Sequence, residues 1–224
     1  MCGRFRVARK KEILGEYFGV EPDADWQPRY NVAPTQQVAV IRQHCREPKR
    51  LASTMRWGLL PVWAKDPANG YKLINVRCET LAERPAFREI LKKQRCLIPA
   101  DGFYEWEKNG KLRTPFCFIL ADDSIFAFAG IWEGWKNAQN QLIETCSIIT
   151  TTPNSLCAEI HDRMPVILPE EYFDLWLDPG FHNANELCRL LRPYEAAKMK
   201  RFQVSSRVNN VNHDDPECAR SVAT

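Results

Sequence analysis

Apolar positions along the chain recur with two periods, which predict interleaved helices and strands. In residues 8–18, ARKKEILGEYF, helical spacing brings Ile13, Leu14, Tyr17 and Phe18 onto one face. Residues 85–94, PAFREILKKQ, open on a proline suited to a first helical turn. From Leu73 to Glu79 the period is two: Ile74, Val76 and Cys78 alternate with Asn75, Arg77 and Glu79, which predicts a strand with three polar side chains on one face. Val38 to Ile41, Ile125–Trp132, Leu142–Thr150 and a last segment around Phe202–Ser206 also read as strands. Cys96–Glu107 and Pro115–Leu120 flank the Asn109-Gly110 step, a hairpin signal. Asn154 caps a short helix reaching Ile160, and two amphipathic helices are expected near 170–177 and 184–192.

Hairpin-linked strands without a regular βαβ repeat predict one α+β domain, with a curved antiparallel or mixed sheet, barrel-like, at its core and helices around it. It is expected to span residues 2–211, and the polar segment 212–224 to be a frayed tail, polar already from Asn209. A chain of 224 residues buries enough surface to fold without disulfides. Its nine cysteines (2, 45, 78, 96, 117, 146, 157, 188 and 218) have no zinc-ligand spacing, and several lie in apolar runs. They imply a reducing cytoplasm and no bound metal. MCGRFRVARKK has no apolar core of a secretory leader, and no stretch is apolar enough to span a membrane. The net charge of +3 leans only weakly toward polyanionic partners.

Four places can carry chemistry. Loss of Met1 before the small Cys2 would leave a 1,2-aminothiol, which no internal cysteine offers. Its amine, with an ordinary pKa around 7.7–8.0, is partly neutral at physiological pH, and Arg4 is a cation able to lower the thiol. Thiol attack on an amide, with the amine as base, would be N-terminal-nucleophile hydrolysis. Amine attack on an aldehyde would give an imine that the thiol closes to a thiazolidine, helped by an effective concentration on the order of 10⁵ M or more. The plainer alternative is a small core cysteine. Asn75, Arg77 and Glu79 form either a site floor or a solvated strand face. In ADGFYEWEKNG, Glu105 shares a face with Phe103 and Glu107, and Tyr104 with Trp106. A carboxyl among aromatics rises toward neutrality, and Trp106 can stack on an unpaired base, unless these residues are simply core and surface. His161, just past the short helix, would be favoured as its protonated form by the helix C-terminus, or be merely structural.

Several stretches together resemble the SOS response-associated peptidase (SRAP) family of abasic-site processing proteins. They are Met1-Cys2-Gly3-Arg4-Phe5, Arg29-Tyr30-Asn31-Val32-Ala33-Pro34, Arg56-Trp57-Gly58-Leu59, Ile74-Asn75-Val76-Arg77 with Glu79-Thr80, Arg95 through Trp106, and His161-Asp162-Arg163-Met164-Pro165. The resemblance runs in order from residue 2 to about 211. It implies that Cys2, freed of Met1, forms a thiazolidine crosslink with the ring-opened sugar of an abasic site, shielding the lesion in the DNA damage response. Asn75 would hold the N-terminal backbone, Glu105 would be the acid–base and His161 would move protons at the sugar hydroxyl. Arg4, Arg77 and Arg163 would hold phosphates, Trp106 would stack with Thr150 nearby, and Pro34 and Trp63 would wedge a junction open. The family's peptidase label corresponds to self-removal of residues before the cysteine. The implied partner is single-stranded DNA with abasic sites, or a single/double-strand junction, bound by a monomer without cofactor, in the cytoplasm. About three neutralised phosphates give a log–log salt slope near −2. Two rivals stand against this. A glutamine amidotransferase-like hydrolase expects Asn-Gly-Asp, and neither Asn-Gly here is followed by Asp. A non-catalytic single-strand binder would leave Cys2 incidental.

Overall fold

The structure, a computed structural model, describes residues 2–44, 47, 49–64 and 72–222. Met1 and Cys45, singled out in the sequence, lie outside them. The molecule is α+β and built on two sheets. Strands β3 (Gln37–Gln43), β4 (Arg50–Trp57), β6 (Arg95–Ala100), β9 (Phe126–Lys136) and β10 (Leu142–Thr151) form a ring in the order β10-β4-β3-β6-β9. It closes because β10 pairs antiparallel with β9 and parallel with β4, through Thr145–Arg56 and Cys146–Trp57. The short strand β5 (Asn75–Arg77) lies parallel beside β10, with Asn75 opposite Ile148 and Arg77 opposite Thr150. The second sheet is open, in the order β13-β8-β7-β1-β2, from β1 (Phe5–Val7), β2 (Arg29–Val32), β7 (Gly102–Asn109), β8 (Leu112–Leu120) and β13 (Met199–Gln203).

The chain passes between sheets at Asp101-Gly102, so the single strand expected over Cys96–Glu107 is two strands. Gly102 is required at this corner: a Cβ there would lie 2.8 Å from Arg6 Nε and 3.1 Å from Cys117 Sγ. Asp101 locks the corner from a buried position, accepting from Ala8 N (3.1 Å) and pairing with Arg6 (3.3 Å) and Arg9 (3.2 Å). After β7 the hairpin turns at Gly110-Lys111, with Asn109 opposite Leu112 and Gly110 at φ 58°, a conformation glycine adopts without penalty.

Both faces of the open sheet are covered. Phe5, Phe103 and Phe118 face the ring, where Phe103 stacks on Phe118 at 5.0 Å and meets Phe128 edge-on. Tyr104, Cys117 and Ile119 face the other way, against Val204, Val208 and Cys218.

Four expectations are corrected here. The C-terminal segment is not frayed: Asp214 accepts from Tyr30 N (2.6 Å) and Asn31 N (2.8 Å) and pairs with Arg29, while Cys218 is fully buried. These bonds give a polar segment a docked conformation without an apolar run of its own. The strand expected from Leu73 to Glu79 ends at Arg77, because β10 offers pairing to Asn75–Arg77 and the chain then turns into α2 (Cys78–Leu81), which carries Glu79. In α1 (Lys11–Phe18), Leu14 and Phe18 are buried but Ile13 is exposed, since the i, i+4 pair Leu14 and Phe18 takes the stripe facing the core and Ile13 lies beside it. The last strand is Met199–Gln203, earlier than expected, because Met199 to Gln203 pair in register with Leu120 to Phe116. The cap at Asn154 forms as its chemistry dictates, its side chain accepting from Cys157 N at 2.9 Å at the head of α4 (Ser155–Ala158). No helix among the described residues is long and apolar enough to cross a membrane.

Candidate functional site

Cys2 lies three residues before β1, between Asn75 of β5 and the open sheet, and is fully buried. Its carbonyl accepts a 2.8 Å hydrogen bond from Asn75 Nδ2 on β5. Asn75 is itself fixed by backbone: the Ile74 carbonyl just before it accepts from Trp57 Nε1 (2.8 Å) and Ile148 N (3.1 Å). Its Oδ1 is buried with no partner among the described residues, an acceptor left open toward an incoming N–H or O–H.

Burial, the dominant influence, pushes the Cys2 thiol far above the ordinary thiol range. This corrects the expectation that Arg4 lowers it. The Arg4 guanidinium instead donates Nη1 to Asn31 Oδ1 and to the Val208 carbonyl, each at 2.7 Å. A thiol held neutral is a poor first nucleophile toward an amide.

Glu105 is almost fully buried on β7, on the face toward the ring, as its alternation with Phe103 requires. Burial raises its pKa to about 7, so both protonation states are populated near neutral pH, as a general acid–base needs. Glu105, Arg4, Trp106, Lys108, Arg113, His161 and Asn209 line one open cleft of about 480 Å³.

In His161, Nδ1 accepts from Arg163 N at 3.0 Å and lies 2.8 Å from Asp162 Oδ1. The carboxylate contact would favour a protonated ring, but burial is the stronger influence and lowers the pKa. The Asp162 side chain is 86% exposed, so its pull is screened by water. Burial therefore works against the protonated ring expected from the helix end.

The cations differ in readiness. Arg77 is exposed, and its guanidinium has no ion-pair or hydrogen-bond partner among the described residues. Arg163 is held by both oxygens of Glu79, at 2.6 and 2.8 Å, and by the Thr150 carbonyl at 2.7 Å, so a phosphate must compete for its fork. That pairing holds the Glu79 carboxyl down at about 2. The Thr150 side chain is fully buried, its hydroxyl 3.4 Å from the Val76 carbonyl, and it lies behind the site as a support for β5. Trp106 lies 5.7 Å under the Arg4 guanidinium and donates Nε1 to Asn209 Oδ1 at 2.7 Å. Pro34 is half-buried in the turn after β2, whereas Trp63 is 68% exposed beside Val62 at 63%.

The sequence reading passed over Asn31 and the C-terminal strap. Asn31 is fully buried; its Nδ2 donates to the carbonyls of Val208 (3.2 Å), Asn210 (3.0 Å) and His213 (2.6 Å), and its Oδ1 holds Arg4. It therefore joins the N-terminal strand to the strap that orients Trp106. The only signal for it in the sequence is its place in Arg29-Tyr30-Asn31-Val32-Ala33-Pro34, which does not show its bonding.

Comparisons with known proteins agree with this picture. The family model described as SOS response associated peptidase (SRAP) matches residues 1–211. The chain is 44% identical to the abasic site processing protein YoqW of Bacillus subtilis, over 99% of this chain and 100% of that protein. It is 31% identical to the abasic site processing protein HMCES of Gallus gallus, over 86% of this chain and 66% of the relative. A solved protein of Bacteroides thetaiotaomicron superposes with a TM-score of 0.88 at 28% identity, covering 99% of this chain and 100% of that one.

Proposed function

This chain belongs to the SOS response associated peptidase (SRAP) family, and we propose that it captures abasic sites in single-stranded DNA as a covalent adduct of Cys2. With Met1 removed, the Cys2 amine adds to the aldehyde carbon of the ring-opened sugar. Loss of one water gives the imine. The thiol sulfur then adds to the imine carbon while the thiol proton passes to nitrogen, closing a five-membered thiazolidine. The balance is aldehyde plus aminothiol giving thiazolidine plus water, with no oxidant or reductant.

The observation that carries this reading is Glu105, a carboxyl with a pKa near 7 lining the same cleft as His161. As the acid it protonates the departing oxygen, and as the base it takes a proton from the iminium nitrogen to leave the neutral imine that the thiol attacks. His161 exchanges protons at the sugar hydroxyl. Asn75 holds the Cys2 carbonyl and with it the direction of the amine. The buried, neutral thiol favours amine-first chemistry over a thiol-first hydrolase, and the reading requires only that Met1 be removed before capture. Arg77 is the readiest phosphate contact; Arg4 and Arg163 join it as phosphates compete for their present partners, and Trp106 stacks a neighbouring base. The names of the relatives, abasic site processing proteins, support the choice of lesion. Exposed Trp63 and Pro34 act as wedges at a junction, and a single strand bends around a lesion that a duplex would hide.

Intact mass spectrometry after mixing with an oligonucleotide bearing one abasic site tests this directly. The expected species is the chain without Met1, plus the DNA, less one water. Cys2→Ala yields no adduct stable to a denaturing gel, and Cys2→Ser yields only an imine that borohydride traps. Equal crosslinking by wild type and Cys2→Ala would refute the proposal.

A further inference from the structure

The β7–β8 hairpin ends in cations that the site chemistry does not use. Lys108 and Arg113 are direct cross-strand partners. Like charges placed directly opposite one another repel. Both side chains are exposed, and neither has a hydrogen-bond or ion-pair partner among the described residues. Some exposed cations elsewhere are compensated: Lys198 pairs with Glu195, Arg207 with Asp215 and Arg220 with Glu217.

The pair is also aimed. Lys108 follows Trp106 by two residues, so both occupy the same face of β7, and Arg113 opposite Lys108 projects to that side. Both cations line the cleft that holds Glu105, Trp106 and His161. Glu107 alternates to the face of Glu105 but does not line the cleft. Arg77 and Arg163 do not line this cleft; they belong to the ring, while the hairpin belongs to the open sheet. Cys2 lies between Asn75 of β5 and the open sheet.

We infer that Lys108 and Arg113 form a second phosphate-binding arm, which grips the DNA strand on one side of the captured sugar while Arg77 holds the other. Three residues of strand place the arm about 10 Å from Glu105, beyond the sugar itself and in reach of a flanking phosphate. The repulsion between the two side chains is relieved when a phosphate sits between them. The inference rests on DNA being the substrate, but its test does not use Cys2 chemistry.

Non-covalent binding of an undamaged single strand is measured against salt for wild type and for Lys108→Gln/Arg113→Gln. Two lost phosphate contacts flatten the log–log slope by about 1.4, at roughly 0.7 per contact on single strands. A charge-keeping swap, Lys108→Arg/Arg113→Lys, retains the wild-type slope, and thermal melts of each variant report folding. Capture is then timed on two oligonucleotides, one flanked only 5′ of the abasic site and one only 3′. The double Gln variant slows one of the pair and not the other. An unchanged slope in the Gln variant, a flattened slope in the swap, or equal slowing of both oligonucleotides would overturn the arm. Absence of any wild-type adduct would instead sink the proposed function and leave the salt result standing by itself.

Discussion

Replacing Glu105 by glutamine separates what the residue contributes to chemistry from what it costs the fold. Burial, as the largest influence, lifts its pKa from an ordinary 4.5 to about 7. A carboxyl whose folded pKa is raised binds its proton more tightly in the native state. Its contribution to stability is therefore fully present below about pH 4.5 and is lost as pH rises through about 7. The difference, at about 1.4 kcal/mol per pH unit, is ~3 kcal/mol. Glutamine keeps the shape and never ionises. Glu105→Gln is thus expected to lie within about 1 kcal/mol of wild type near pH 5 and to exceed it by up to ~3 kcal/mol at pH 8.5, a gain of several degrees in melting temperature for a chain of this length. Urea unfolding at four pH values between 5 and 8.5 measures the gap. Capture of an abasic oligonucleotide, timed over the same range, should be slower in the variant and lack the wild-type inflection near pH 7. A stability gap that is flat with pH, or that favours wild type at alkaline pH, would mean that Glu105 is not a carboxyl held near neutrality by burial, and the acid–base role would go with it.

Two further outcomes follow from single contacts. Asn75→Ala removes the 2.8 Å bond to the Cys2 carbonyl and should lower the capture rate at saturating DNA at least tenfold. It should leave the affinity for undamaged single strands within twofold; a parallel fall in both would show a general loss of structure. Asp214→Ala removes the acceptor of Tyr30 N and Asn31 N and the partner of Arg29, at roughly 2–3 kcal/mol for the charge-assisted set. Because the strap holds Trp106 and Arg4, Trp106 fluorescence should also change and DNA affinity fall; an unaltered melt would show that the strap is not latched there.

The sequence by itself determined what is local. Alternation and the Asn-Gly step marked the β7–β8 hairpin, Asn154 marked a helix start, and the paired spacing of Asn75 and Arg77 placed both on one side of a strand. Such features depend on neighbours a few residues away, so they can be read in one dimension. The residue types of the site were legible for the same reason, since an aminothiol, a carboxyl beside aromatics and a histidine on a turn are recognisable as chemistry wherever they stand. Tertiary structure decided how each behaves. Arg4 finds its acceptor 204 positions away at Val208, and Arg163 finds Glu79 at a distance of 84, so which guanidinium stays open could not be seen in the chain. Burial is likewise a sum over surrounding elements. It drives the Cys2 thiol up where Arg4 alone suggested down, and works against a charged His161 where the helix end alone suggested charge. The polar C-terminal segment looked loose because its anchors are hydrogen bonds to Asn31 and the β2 backbone and a few isolated buried side chains, Val208 and Cys218, rather than an apolar run. Periodicity reveals which face a residue occupies, and only the folded chain supplies what covers that face.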